Sequence, residues 1–240
     1  MAFVYFGTPS YSGRIGIGFF TSMMETASAL IAAGHGCAMR FRSGCGLVGQ
    51  VRNELAADFM VTEQATHLMM IDDDMAWEPE GVLRLIDHGV PIVGAAGPKK
   101  NAKAGGFCFR ADSPVRDNRG LVEVAGIGTG FLLISRRVIE DLRDSNPELE
   151  YRVHDAEPGR RFFDFFDHPL EHHAGYDLPI KLGEDFAFCN LVRERGHKVY
   201  LDPDIYLEHD GFQTYAGRAV DQIEAWQPAW TAEQCAKARE

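Results

Sequence analysis

Three consecutive acids, Asp72, Asp73 and Asp74, end an apolar run in HLMMIDDDMAWEPEG (67–81). Neighbouring carboxylates repel unless a proton or a cation sits between them. A hard divalent ion suits them: Mg²⁺ or Mn²⁺ commonly takes one or two protein carboxylates and fills its shell with substrate phosphate oxygens. If the acids continue a strand, alternation puts Asp72 and Asp74 on one face and Asp73 on the other. The plainer reading is a solvated strand end or a helix N-cap, since a helical pattern follows. A second acidic pair, Glu184-Asp185, opens the amphipathic stretch GEDFAFCNLVRERG (183–196). Acids there favour the helix dipole, and one of them could equally serve as a general base. His209 ends the strand-like DIYLEH, with Asp210 and Gly211 after it. A lone histidine is more often structural than ligating. An imidazole beside a carboxylate would tilt a mixed site towards Mn²⁺.

The elements that must position these groups alternate. AFVYF (2–6) reads as a strand, followed by the turn-rich GTPSYSGRIG. Residues 17–34 have helical spacing and stop at Gly34, a C-cap glycine. CAMRFR (37–42) reads as a strand, 49–63 as a helix, THLMMI (66–71) as a buried strand, 79–89 as a helix and VPIVGAAG (90–97) as another strand. Alternation of this kind implies a parallel sheet with right-handed crossovers and a ligand site beyond the carboxyl ends of the strands. The triple aspartate lies at such an end. GFLLIS (130–135) reads as a strand and 136–144 as a helix. Residues 145–182 form a long stretch rich in Asp, His, Pro and Phe, a lid or acceptor loop. The tail, 212–240, with Trp226 and Trp230, reads as helical. No linker or repeat interrupts the chain. It reads as one domain: a nucleotide-binding half (1–100), an acceptor-side and catalytic half (101–211) and the tail.

Composition excludes some classes of function. The 240 residues are 45% hydrophobic and 25% charged, as in an ordinary globular protein. A net charge of −11 repels nucleic acid and anionic membrane on average, so a polyanionic partner would need a local basic patch. No stretch approaches the roughly 18 apolar residues of a membrane span. Five scattered cysteines without CxxC spacing, and no targeting segment, lead to the expectation of a reduced, cytoplasmic setting.

Four motifs in order then resemble the GT-A glycosyltransferases, which use nucleotide-sugar donors: IDDD as the DxD, GIGTGFLLIS (126–135) as the glycine-rich loop, GEDFAF as the xED, and His209 as the C-terminal histidine. With VRN (51–53) upstream, the layout resembles small bacterial and phage members over about residues 2–211. The resemblance implies a Rossmann-like α/β fold with a mostly parallel central sheet flanked by helices. It implies that Asp74 and His209 ligate Mn²⁺ or Mg²⁺, with Asp72 on the ribose or sharing the metal and Asp73 beside the nucleotide. Asp185 would be the base of an inverting transfer, assisted by Glu184. Thr8, Pro9 and Ser10 would lie near the base of the nucleotide, Arg52 near its phosphates, and Gly126, Gly128 and Gly130 would let backbone approach the sugar or acceptor. The bland readings are a surface helix arginine at 52 and simple turn chemistry at the glycines. The acid that often reads uracil at the end of the second strand is replaced by Arg42-Ser43. A UDP-sugar is therefore favoured by family habit alone.

For the acceptor, residues 97–120 carry Lys99, Lys100, Lys103, Arg110, Arg116 and Arg119 against Asp112 and Asp117, with Phe107 and Phe109 between them. Arg136, Arg137, Arg160 and Arg161 extend this basic character. Such a strip fits an anionic acceptor such as DNA with hydroxymethylated pyrimidines, reached by base flipping. It equally fits steering of the donor diphosphate, or a solvated loop; a surface glycan or a small molecule are the other acceptors. Asp167, His168, His172 and His173 form a weaker candidate second metal site, with Phe162, Phe163, Phe165 and Phe166 packed beneath a lid. Rival functions are a nucleotidyltransferase, although GTPSYSGRIG brings only Arg14 as a phosphate-loop cation; a DxD phosphatase, disfavoured by Ala76; and a non-catalytic nucleotide- or metal-binding module.

Overall fold

The computed structural model describes residues 1–100, 106–154, 159–172, 177–211 and 213–224. Its frame is β1 (Phe3–Ser10), α1 (Ile17–Ala32), β2 (Gly36–Ser43), α2 (Val48–Val61), β3 (His67–Ile71), β4 (Met75–Trp77), α3 (Glu80–Asp87) and β5 (Ile92–Gly94). The second half adds β6 (Phe109–Arg110), β7 (Val122–Val124), β8 (Gly126–Ile127), β9 (Phe131–Ser135), α4 (Arg136–Ser145), and the short pairs β10 (Glu150–Tyr151) with β11 (Phe162–Phe163) and β12 (Leu170–Glu171) with β13 (Ile180–Lys181). It closes with α5 (Glu184–Glu194), β14 (Val199–Leu201), β15 (Tyr206–His209), β16 (Tyr215–Arg218) and α6 (Val220–Glu224).

Seven strands form the central sheet in the order β2-β1-β3-β9-β5-β14-β7. β2, β1 and β3 run parallel, as do β5 and β14; β9 lies antiparallel to both β3 and β5, and β7 antiparallel to β14. The sheet is thus mostly parallel and flanked by helices on both faces, the α/β class expected from the alternating pattern. The alternation of β3 shows why both faces are covered. Leu68 and Met70 point into a core built with α2, α4 and α5, while Met69 and Ile71 point into one built with α1 and α3. Each fully buried side chain of this size contributes about 1.5–3 kcal/mol of transfer free energy.

The buried stripe of α1 is Phe19, Ser22, Met23, Thr26 and Leu30. Its two hydroxyls are not misplaced. Ser22 Oγ accepts the backbone N–H of Trp77 (2.9 Å) and Thr26 Oγ1 accepts the indole N–H of the same residue (2.9 Å). At the end of α1, Gly34 takes φ +77°, and the N–H of His35 reaches the carbonyl of Leu30 (2.8 Å), so the expected glycine cap is present.

Two expectations are corrected, and one further strand stands where the pattern gave none. β1 runs through to Ser10, so Thr8, Pro9 and Ser10 are strand residues and not loop. MAW (75–77) is a strand, pairing with β15 in a separate sheet of order β16-β15-β4. Residues 215–218 of the tail are strand, with one helical turn after them. Trp226, Trp230 and the rest of 225–240 lie outside the described residues, as do Lys103 and His173. Among the described residues no helix is long and apolar enough to cross a membrane.

Candidate functional site

The chain turns at the end of β3. Asp72 donates its N–H to the Gly130 carbonyl (3.2 Å), and Met75 N–H closes back on the Asp72 carbonyl (3.2 Å). The three aspartates therefore sit on a turn, where strand alternation no longer applies, and their carboxylates fan apart. Asp72, expected on the face of Asp74 and either on the ribose or sharing the metal, accepts a 2.8 Å bond from Arg52. Asp73 lies beside Ser10. Burial lifts its carboxyl above the ordinary aspartate range, with Asp74 and Asp72 adding to that and the Ser10 hydroxyl working against it. Asp74 faces His209.

The meeting of Asp74 and His209, 135 positions apart in the numbering, follows from register. His209 on β15 lies opposite Met75 on β4, and Asp210 N–H bonds the Asp74 carbonyl (2.8 Å). His209 Nδ1 lies 2.8 Å from the Pro98 carbonyl, which can only accept. Nδ1 therefore carries a proton, and a neutral ring presents the lone pair of Nε2. Nε2 faces Asp74 Oδ1 at 3.3 Å without hydrogen-bond alignment, leaving Oδ1 buried and without a donor. Two bare acceptors at that separation call for a proton or a cation between them. Burial pulls the His209 pKa down, but Asp74 and the Pro98 carbonyl outweigh it and raise it. Burial pushes Asp74 up, but His209 and Lys100 outweigh it and lower it.

Arg52 is nearly fully buried. It joins the end of β3 to the start of α5, through Asp72 and through Glu184 Oε1 at 3.4 Å. Burial disfavours its charge, yet Asp72 and Glu184 outweigh that and hold it protonated. Its Nη1 is buried with no acceptor. Asn53, its neighbour on α2, clamps the Phe-rich segment by donating to Asp164 (2.7 Å) and accepting from Phe166 N–H (3.0 Å). The VRN triplet thus holds both the acidic corner and the lid-side segment. Phe162, Phe163, Phe165 and Phe166 are all buried, and Phe166 stacks on Phe188 with centroids 4.5 Å apart.

Asp185 is the second residue of α5, after Glu184, and accepts Phe186 N–H at 2.7 Å. Burial raises its carboxyl above the usual aspartate range and Glu184 adds to this; the Phe186 N–H and Arg52 pull the other way. The thiol of Cys108 lies 3.9 Å from Asp185 Oδ2, and burial, then that carboxylate, push its pKa up to about 11.

Two clefts meet at this edge of the sheet. One, of about 340 Å³, is lined by Asp72, Gly128, Gly130, Asp185 and His209, with Arg52 and Glu184 at its wall. The other, of about 350 Å³, is lined by Pro9, Ser10, Tyr11, Asp73 and Asp74 and shares Arg52, Asp72 and Glu184. Thr8 lines neither; its side chain is fully buried in the sheet. None of the glycines at 126, 128 and 130 has positive φ, so turn chemistry does not explain them. Close approach does. A Cβ on Gly130 would sit 2.9 Å from Asp72 Oδ2, one on Gly128 3.2 Å from Cys108 Sγ, and one on Gly126 2.3 Å from the ring of Phe186. Gly126 therefore gives room for the aromatic that seats the first turn of α5. Gly126→Val should cost about 1–3 kcal/mol through overpacking. It should also lower activity by tilting Asp185, with the thermal midpoint and turnover measured on the same preparation; an unchanged midpoint would refute the packing.

The basic segment is largely neutralised within the fold. Lys100 bonds Asp74, Arg116 bonds Asp204 (2.7 Å) and Arg119 bonds Asp117 (2.6 Å). Arg110 lies over Phe186 at 5.7 Å. Arg136 caps the end of α2 through the carbonyls of Ala65, Phe59 and Thr62, and Arg160 and Arg161 pair with Asp58 and Glu150. Several cations of the expected strip thus have partners within the fold. Among the described residues, no three His, Cys, Asp or Glu side chains come together as a metal cage, around His168 and His172 or elsewhere. Sequence reasoning missed two partners: the Pro98 carbonyl that fixes His209 and Lys100 on Asp74. A backbone carbonyl leaves no sequence signal, and position alone groups Lys100 with the basic strip of residues 97–120 rather than with Asp74.

Fold and site together define an α/β protein with an acidic, imidazole and guanidinium cluster at the carboxyl edge of a mostly parallel sheet. No family model matches the chain, and no curated protein matches its sequence. Among solved structures, A197 from STIV is similar in fold, with a TM-score of 0.51 and 15% identity over 92% of each chain. A glycosyltransferase involved in the glycosylation of the major capsid of PBCV-1 aligns with 61% of this chain and 68% of its own at a TM-score of 0.34 and 10% identity, too slight a likeness to argue from.

Proposed function

We propose that the protein is a GT-A-type glycosyltransferase. It would move a sugar from a nucleotide-sugar donor, a UDP-sugar being the first choice, to an acceptor hydroxyl with inversion. The observation that carries this reading is the Asp74–His209 pair: a buried, donorless carboxylate oxygen facing an imidazole nitrogen whose tautomer is fixed. Carboxylate oxygen and neutral imidazole nitrogen are a donor set that fits Mn²⁺ or Mg²⁺, with water and substrate phosphate completing the shell. Asp74 and His209 would hold the ion, which when bound offsets negative charge on the departing diphosphate.

The chain's own groups do the rest. Pro9 and Ser10 line the cleft on the nucleotide side, and the unpaired Nη1 of Arg52 is a buried donor for a phosphate oxygen. Asp72 keeps Arg52 charged and in place. Asp185 takes the proton of the acceptor hydroxyl as that oxygen attacks the anomeric carbon, while the bond from that carbon to the diphosphate oxygen breaks and its electron pair leaves on the diphosphate. Its raised pKa suits a base that must pick up a proton and release it again. Glu184, tied to Arg52, anchors the base rather than replacing it.

The test is nucleoside diphosphate release from a panel of nucleotide sugars with and without Mn²⁺, adding glycan, small-molecule and hydroxymethylated-DNA acceptors in separate arms. Metal-dependent release from one donor, stimulated by one acceptor class, is the expected result. Metal-dependent nucleotide binding with no release from any donor would leave a binding module, and pyrophosphate release from a nucleoside triphosphate would indicate a nucleotidyltransferase.

A further inference from the structure

Lys100 holds the other oxygen of the carboxylate that the proposed function gives to a metal ion. Its ammonium is hydrogen-bonded to Asp74 Oδ2, on the same carboxylate whose Oδ1 faces His209. Its stem passes over Gly211, where a Cβ would come within 3.3 Å of Lys100 Cδ. Two residues earlier, the Pro98 carbonyl fixes the ring of His209. The Pro98–Lys100 segment thus touches both members of the pair at once. An ammonium on Oδ2 and a divalent ion on Oδ1 draw on one carboxylate charge and repel each other, so seating either weakens the other. Lysine suits a place that must be vacated, because it is a compact point charge on a flexible stem, without the bidentate grip of arginine. The pair is also partly exposed, with side-chain exposures of 34% and 37%, so the contact is cheap to break.

We infer that Lys100 is an exchangeable counter-ion. It holds Asp74 when ion and donor are absent, yields the carboxylate to the divalent cation, and carries its ammonium to the diphosphate of the donor. The destination follows from position and charge. Lys99 and Lys100 line the same cleft as Arg52 and Asp185, so the displaced ammonium stays beside the phosphate-binding donors. Ion and diphosphate then bind with positive coupling, each making room for the other. This inference rests on the proposed function, since it takes Asp74 and His209 as the cation site.

The experiment measures Mn²⁺ binding to the donor-free protein by electron paramagnetic resonance, and then pyrophosphate binding at saturating Mn²⁺. It compares wild type with Lys100→Met, which keeps the stem and removes the charge. Lys100→Gln is the second variant, and Asp74→Asn the control for site-specific binding. Both lysine variants should bind Mn²⁺ roughly three- to tenfold more tightly than wild type. They should bind pyrophosphate more weakly by at least a similar factor. A lysine with a merely structural role could not produce the first change, because a damaged site loses metal affinity. Mn²⁺ affinity equal to or below that of wild type would overturn the exchange while leaving the cation site in place. Unchanged pyrophosphate affinity would overturn the transfer to phosphate. Failure of every form, wild type included, to bind Mn²⁺ above the Asp74→Asn level would overturn the cation site and the exchange with it.

Discussion

Asp185→Asn should abolish sugar transfer while leaving donor binding intact. Asparagine keeps the volume and can still accept the Phe186 N–H that orders the first turn of α5, but it cannot take a proton from the acceptor hydroxyl. Removing a positioned general base costs about 10²–10⁴ in turnover. The affinity for the nucleotide sugar should change little, since Asp72, Asp74, Arg52 and His209 remain in place. Two further readouts separate chemistry from folding. Wild-type turnover should rise with pH through an apparent pKa above the ordinary aspartate value, because Asp185 works only when deprotonated and burial, then Glu184, raise its pKa; that limb should vanish in the variant. Stability moves in the opposite sense. A carboxyl whose folded pKa is raised stabilises the fold below its unfolded pKa and loses that contribution as pH rises through the folded value. At neutral pH the charged, buried Asp185 is therefore a burden, and Asp185→Asn should hold or raise the thermal midpoint. Full-rate transfer by this variant would remove Asp185 from the base role.

The parts of this molecule that could be read in advance are those governed by local pattern. The helical spacing of residues 17–32, the apolar run of β3 and the acids opening α5 each declare an element through periodicity or capping. Placing the acids at the carboxyl edge of a sheet followed from strand–helix alternation. What stayed hidden depends on partners far away in sequence. β4 is three residues long, too short for any period, yet its register with β15 is what brings His209 to Asp74. β9 reads as an ordinary buried strand, and its reversed direction between β3 and β5 leaves no mark in FLLIS. The partners of the basic stretch stayed hidden for the same reason. Its charge is real in the count, but Arg116 finds Asp204 and Arg136 finds helix-end carbonyls, pairings that no spacing announces. The same holds at the turn after β3. The Asp72 N–H bonds the Gly130 carbonyl where the strand ends, and there the Asp72 carboxylate meets Arg52.

That divergence makes the aspartates separable by mutation, and the largest binding effect should fall on Asp74. Asp74→Ala removes the carboxylate that faces His209 and leaves a single imidazole at the cation position. Loss of a partner that only orients a metal ligand already costs ten- to a hundredfold in affinity, so loss of the ligand itself should weaken Mn²⁺ binding by more than about a hundredfold. Donor binding should then lose its Mn²⁺ dependence and fall to the level that Arg52 and the strand-end backbone sustain alone. Asp73→Ala, on the Ser10 side, should leave Mn²⁺ affinity close to wild type and act only on the nucleotide. Asp72→Ala should act through Arg52, weakening donor binding whether or not the ion is present, because the guanidinium loses its nearer carboxylate. Calorimetric titration of each variant with nucleotide sugar, with and without Mn²⁺, distinguishes the three patterns. Undiminished Mn²⁺-dependent donor binding in Asp74→Ala would show that the pair at the β4–β15 junction is a structural contact, with His209 simply protonated against Asp74, and the case for a transferase would lose its central support.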